Sequence, residues 1–168
     1  AELVGMLRDQ GLRVILDTSG PALKAALNAR PWLIKPNTDE LAELVGQAVH
    51  SPESQREQAA RLRAFGVSHV VISQGADGVR WFGDELALQA TPPKVPVLST
   101  VGAGDSLVAG MVHGLLTGLP PDQTLALATA VAAEAVAQVG VGVADRGRLD
   151  ALAAQVHVAQ LGRPDAAI

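Results

Sequence analysis

The residues of this chain best suited to chemistry are Thr100-Val101-Gly102-Ala103-Gly104-Asp105-Ser106, which run directly into the apolar stretch Leu107–Leu116. Gly102 and Gly104 carry no Cβ, so the backbone can turn sharply there and approach a ligand closely. The apolar stretch predicts a buried helix opening at about Gly104 or Asp105. The first turn of a helix has N–H groups without intrahelical partners, and its dipole favours negative charge. A Gly-Ala-Gly turn on such an end makes an anion cradle suited to phosphate. Asp105 stands at its lip, where a carboxylate can orient a hydroxyl and take its proton. Cradle and base together point to phosphoryl transfer.

Plainer readings exist for each residue. Asp105 can serve as a helix N-cap, with the glycines as a tight turn. Neighbouring motif definitions are excluded. No Gly-Lys-Ser/Thr follows the turn, so it is not a P-loop. Leu107 stands where a dinucleotide fingerprint needs its third glycine, and Val108 occupies the last place of a Gly-x-Ser-x-Gly elbow.

The elements that must position this turn alternate along the chain. Helix signals end at Gly11, Arg13–Asp17 predicts a short buried strand, and Pro21–Leu27 a helix with Pro in its first turn. Trp32-Leu33-Ile34 reads as a second strand that empties into Lys35-Pro36-Asn37. A helix then starts on an N-cap at Thr38 with early acids Asp39 and Glu40, turning Leu41, Leu44 and Val45 inward. Pro52–Phe65 is a charged helix with its polar face in solvent, stopped by Gly66. Val67–Ser73 is a β-branched strand, and Gln74-Gly75-Ala76-Asp77-Gly78 turns it sharply. Val79–Phe82 and Leu86–Gln89 form a hairpin around Gly83-Asp84. After the central motif come an Ala-rich helix over Gln123–Val139, a loop Val139-Gly140-Val141-Gly142, and a last helix over Leu149–Val156.

Strands alternating with helices argue for an α/β fold with a parallel sheet covered on both faces. Ligands of such sheets sit beyond the carboxyl ends of the strands, where the unusual loops fall. The 168 residues, 48% hydrophobic, suit one domain or part of one, without repeats or an internal linker. A net charge of −4 and 2% aromatic residues leave no basic, stacking surface for nucleic acid. With no cysteine there is neither a disulfide nor a thiolate metal site, and a reducing cytoplasm fits. His50, His69, His113 and His157 show no ligand spacing. No uncharged run spans a bilayer without meeting Gly or Pro. The opening Ala1-Glu2-Leu3-Val4, already in helical periodicity, reads as the inside of a larger protein.

Three motifs in fixed order carry a resemblance: Lys35-Pro36-Asn37-Thr38-Asp39-Glu40, Ser73-Gln74-Gly75-Ala76-Asp77-Gly78, and Thr100–Ser106. Together they resemble the PfkB (ribokinase-like) carbohydrate kinases across essentially the whole chain. Ser99, where many members have Asp, is similar to the 1-phosphofructokinase branch, with tagatose-6-phosphate kinases next. The resemblance implies a three-layer α/β/α fold with a mostly parallel sheet. It implies ATP-dependent phosphorylation of a sugar phosphate, with fructose 1-phosphate giving the bisphosphate as the first substrate to consider. Asp105 would be the catalytic base, and Gly102, Ala103 and Gly104 the anion hole. Lys35, Asn37, Ser73, Gly75 and Gly78 would bind the nucleotide, and Asn37 with Glu40 would help hold Mg²⁺, largely through water. Taken alone, Glu40 is a solvated charge in a first helical turn, Lys35 an exposed loop lysine, and Gly75 and Gly78 turn residues.

The family's amino-terminal half carries a Gly-Gly-rich substrate loop and the strands of a lid that often forms a dimer interface. No Gly-Gly dipeptide occurs here. The sequence therefore reads as the carboxy-terminal, nucleotide-binding half of such a kinase, whose full-length form would be a homodimer. The competing reading is a non-catalytic nucleotide-binding module.

Overall fold

The computed structural model describes residues 1–139, 142, 143 and 145–162. Contacts divide the chain into two units, one of Ala1–Gln74 with Arg80–Ala87, the other of Gly75–Val79 with Leu88–Ile168.

In the first unit, α1 (Glu2–Asp9) precedes β1 (Ile15–Leu16), α2 (Gly20–Leu27), β2 (Leu33–Ile34), α3 (Thr38–Val45), α4 (Pro52–Phe65) and β3 (His69–Ser73). Strands β1, β2 and β3 lie parallel, with Ile15 opposite Leu33 and Ile34 opposite Val70. The aliphatic residues of β2 and β3 are buried, Leu33, Ile34, Val70, Val71 and Ile72 being at most 1% exposed, whereas Ile15 and Leu16 of β1, expected as a buried strand, are half-buried. The burial of β2 and β3 is that expected of parallel strands with crossover helices. The predicted strands are longer than those found at their amino-terminal ends, where Arg13, Val14 and Val67 lie outside the ladder.

Helix α4 matches its predicted ends, with Ser51 capping the Ser54 N–H and Gly66 beyond the last turn at φ 120. Its polar face is not wholly in solvent. Gln55 and Gln58 are buried, and the Arg80 guanidinium, on the strand after β3, donates to Gln55 Oε1 at 2.7 Å. A buried arginine demands such an acceptor, and period alone does not disclose it.

Strand β4 (Val79–Gly83) and β5 (Leu86–Thr91) are joined through Asp84-Glu85, the predicted hairpin, with Glu85 at φ 52. These five strands lie in the order β1-β2-β3-β4-β5. The second unit continues with α5 (Ala103–Leu116), α6 (Pro121–Val136), α7 (Arg146–Ala153) and β6 (His157–Gln160). Strand β6 was not predicted; it runs antiparallel to β5, with Leu88 opposite Gln160 and Thr91 opposite His157, which makes the sheet mixed. The last helix accordingly ends at Ala153 rather than Val156, and it starts earlier because Asp145 accepts the Arg148 N–H. Of the predicted loop at Val139–Gly142, Gly140 and Val141 lie outside the described residues.

Helix α5 is less buried than its composition predicts. Only Leu107, Gly110, Met111 and Gly114 are covered, while Leu116 is 77% exposed. One stripe packs against α6 at backbone distance: a Cβ on Gly110 would lie 2.5 Å from Ala128 Cα, and one on Gly114 2.7 Å from Thr124 Cγ2. Leu149 and Leu152 of α7 close over Ala130 of α6, with Leu127 and Val131 beside them.

Candidate active site

In the first unit the predicted site residues Lys35, Asn37, Glu40 and Ser73 collect where β2 and β3 end, beside the end of β1. Asp17 follows β1, Lys35 follows β2, and Ser73 closes β3. The Lys35 N–H donates to Leu16 O at 3.2 Å and the Ser73 N–H to Pro36 O at 3.1 Å, and Asn37 forms a parallel bridge with Ser73. Lys35, Asn37, Glu40 and Ser73 therefore share one end of the ladder, the end at which the alternation of strands and helices puts the unusual loops.

Two details differ from expectation. The cap of α3 is Asn37, not Thr38. Asn37 Oδ1 accepts the Glu40 N–H at 2.9 Å, and Glu40 Oε2 accepts the Asn37 N–H at 2.8 Å, a reciprocal capping box. An amide at this place reaches the third N–H of the helix, which the backbone of Thr38 already inside it cannot. Lys35 is no exposed loop lysine either: it is 6% exposed, its Nζ 3.3 Å from Asp17 Oδ2. Desolvation of an ammonium has to be offset by an opposite charge. Asp17 was seen in the sequence only as a strand end; its spacing from Lys35 gives no local signal.

The capping box bears directly on Mg²⁺. Among the described residues no group of three or more His, Asp or Glu is placed to hold a metal. Mg²⁺ keeps several waters and needs few protein ligands. With one Glu40 oxygen spent on the cap, the carboxylate has a second oxygen for a metal-bound water, and the cap holds it in place. The donor set fits the ion.

In the second unit, Gly75 and Gly78 flank a short 3₁₀ turn at φ 58 and φ 100, the Gly78 N–H donating to Gly75 O. A Cβ on Gly78 would lie 2.0 Å from the Ala90 carbonyl oxygen, so Gly78 is required by backbone packing whatever else it does.

Helix α5 opens one to two residues earlier than expected. Gly102 is its N-cap at φ 79, ψ 0, and Gly104 and Asp105 are already helical. The left-handed turn is made by Gly102, not Gly104. Asp105 is consequently no N-cap; it is an exposed first-turn residue. No side chain caps α5; the Ala103 N–H donates to the Thr100 carbonyl at 3.4 Å, and the other opening N–H groups meet no capping side chain. A Cβ on Gly102 would meet nothing within 4 Å, so the turn faces open space. This is a fit for an anion. Upstream, Ser99 Oγ accepts the Val101 N–H at 3.2 Å, and Val136 O accepts the Leu98 and Ser99 N–H groups at 2.7 and 3.3 Å.

The profile of the pfkB family carbohydrate kinases matches residues 2–146. The chain belongs to this family. Among its pfkB relatives, the 1-phosphofructokinase of Haemophilus influenzae is 44% identical over 162 residues, covering 96% of this chain and 52% of the relative. That of Escherichia coli K12 is 48% identical over 152 residues, covering 90% and 49%. The chain thus spans about half the length of the curated relatives it matches. Solved structures agree on the ribokinase-like fold. Phosphofructokinase-2 from Escherichia coli in complex with potassium superposes with a TM-score of 0.84 at 32% identity, over 92% of this chain and 50% of that one. Arabidopsis thaliana ribokinase complexed with ribose and ATP gives 0.80 at 26%, over 90% and 51%. No helix among the described residues is long and apolar enough to cross a membrane.

Proposed function

We propose that this chain supplies the nucleotide and phosphoryl-transfer residues of a sugar-phosphate kinase that uses ATP to convert fructose 1-phosphate to fructose 1,6-bisphosphate. The observation that carries this reading is the 43–48% identity to 1-phosphofructokinases of several bacteria. The left-handed, uncapped opening of α5 supports it independently.

In this reading Asp105 takes the proton of the sugar's C6 hydroxyl as its oxygen attacks the γ-phosphorus. The N–H groups of Gly102, Ala103 and Gly104 hold the charge that develops on the transferring group. Asp105 is exposed, so the carboxylate is open to an incoming hydroxyl. Lys35, Asn37, Ser73, Gly75 and Gly78 orient the nucleotide. When bound, Mg²⁺ offsets phosphate charge, and Asn37 with Glu40 would hold its waters. Asp17 holds Lys35 at the end of β2 through their ion pair. The complete kinase acts as a homodimer in a reducing cytoplasm.

A second reading is a nucleotide-binding module without turnover, favoured by three motifs that, Asp105 apart, address the nucleotide and its metal. Holding two reactants in attacking geometry is worth about 7–11 kcal/mol of barrier, and of the residues found here only Asp105 meets the sugar, at its attacking hydroxyl. Two measurements test the readings, and the second separates them. ATP with Mg²⁺ is expected to raise the melting temperature of the chain. Coupled ADP release with fructose 1-phosphate, and with tagatose 6-phosphate as the rival acceptor, is expected to be negligible for residues 1–168 and to favour fructose 1-phosphate in a kinase that includes them. No stabilisation by ATP overturns both readings; full turnover by the 168 residues overturns the second.

A further inference from the structure

Glu134 is a charged residue that neither the core nor the proposed chemistry accounts for. It lies in the last turns of α6, is 0% exposed, and among the described residues neither carboxylate oxygen has a hydrogen-bond partner. Arg148 on α7, 49% exposed, brings its Nε to 2.9 Å from Glu134 Oε2. The contact is an ion pair rather than a hydrogen bond. A carboxylate taken wholly out of water and paired, among the described residues, with one half-exposed cation is a costly arrangement for stability alone.

Its surroundings suggest what it does. Two residues beyond Glu134, the carbonyl of Val136 is among the last of α6, where helix carbonyls have no intrahelical donor. That carbonyl accepts both the Leu98 and the Ser99 N–H groups. Ser99 Oγ in turn accepts the Val101 N–H, and Gly102 follows as the left-handed N-cap of α5. The final turn of α6 is thus the post to which the glycine turn is tied.

We propose that the Glu134–Arg148 pair is a positioning pair: by drawing the last turn of α6 against α7, it sets the Val136 carbonyl and, through Leu98 and Ser99, the Gly102–Asp105 turn. Glu134 touches no reacting atom. The inference deepens the phosphoryl-binding reading of that turn and rests on it for its functional half only.

Amide hydrogen exchange tests the structural half directly. In Arg148→Met, exchange at Leu98 and Ser99 is expected to rise at least tenfold, while that of Val70–Ile72 in the first unit stays unchanged. Arg148→Lys, which keeps the charge, is expected to restore most of the protection and carries the comparison should Arg148→Met not fold. In Glu134→Gln/Arg148→Met, with no charge left uncompensated, protection is expected between wild type and the single variant. Titration with ATP tests the other half: Kd is expected to rise about tenfold in Arg148→Met and to recover in Arg148→Lys. Unchanged exchange at Leu98 and Ser99 overturns the proposal. Equal loss of protection across both units also overturns it, because the pair would then be a general stabiliser. Faster local exchange with an unchanged ATP affinity leaves the tether standing and overturns the role of the turn in binding phosphate.

Discussion

The Lys35 ammonium lies 3.3 Å from the Asp17 carboxylate, joining the ends of two adjacent parallel strands. With Lys35 almost wholly buried and Asp17 side chain 29% exposed, the pair has a lysine that cannot simply turn to water. Asp17→Asn is expected to cost about 1–3 kcal/mol of unfolding free energy, less than a fully buried pair because Asp17 is partly solvated. Urea denaturation at pH 7 measures it. An unchanged midpoint would mean that Lys35 is compensated by another group.

Glu40 has two jobs that one substitution can pull apart. Glu40→Gln keeps an oxygen for the Asn37 N–H, since glutamine serves in a capping box, but removes the charge. Stability is expected to change by less than about 0.5 kcal/mol, while the Mg²⁺ concentration for half-maximal activity of the kinase rises. Glu40→Ala is expected to lose the cap as well, about 1 kcal/mol. An identical Mg²⁺ titration for Glu40→Gln removes this residue from the metal's surroundings.

At the glycine turn the two glycines should respond with opposite sign. Gly102 sits at φ 79, where a Cβ costs about 1–2 kcal/mol, so Gly102→Ala is expected to destabilise. Gly104 is inside the first helical turn, and Gly104→Ala is expected to be neutral or to stabilise by up to about 1 kcal/mol. Thermal unfolding of the two variants side by side checks the order. The reverse order would relocate the left-handed residue.

Asp105→Asn in the kinase is expected to lower kcat by roughly 10²–10⁴-fold with ATP affinity nearly unchanged, as for loss of a general base. Because Asp105 is exposed and caps nothing, the protein's stability should hardly move. Near-normal turnover of the purified variant removes Asp105 as the base.

His69 makes stability fall on acidification. Its Nδ1 accepts the Trp81 indole N–H at 3.2 Å, and its ring lies 4.4 Å from that of Trp32, over which Arg13 also sits. Burial lowers its pKa first, Arg63 and Arg13 add to the lowering, and Asp84 opposes it. The unfolded chain therefore takes up a proton at a higher pH than the folded one. The stability from neutral His69 is complete above its ordinary value of about 6.5 and declines as pH drops below that toward the folded value. Urea midpoints followed by tryptophan fluorescence at pH 7.5 and 5.5 are expected to differ, and the difference to shrink in His69→Phe. Equal shrinkage in His113→Phe, an exposed control, would assign the effect elsewhere.

What the sequence by itself determined is local. Pro52 and Gly66 bound α4 because an imino acid and a left-handed glycine act on their own backbone. Two residues between β4 and β5 suffice for a hairpin, and the order of three short motifs already pointed to the family. Only the tertiary structure decided the rest, because it depends on partners far apart in the chain. Strand β6 exists through its ladder with β5, some seventy residues earlier, and four residues alone have no preference strong enough to reveal it. Lys35 looks exposed until Asp17, eighteen residues before it, arrives from a neighbouring strand. Which glycine turns left-handed depended on where α5 begins, and that start is shared between local preference and the packing of Leu107, Gly110 and Gly114. Arg80 with Gln55, and Glu134 with Arg148, are charges and amides whose burial no periodicity announces, since each becomes tolerable only when its distant partner is in place.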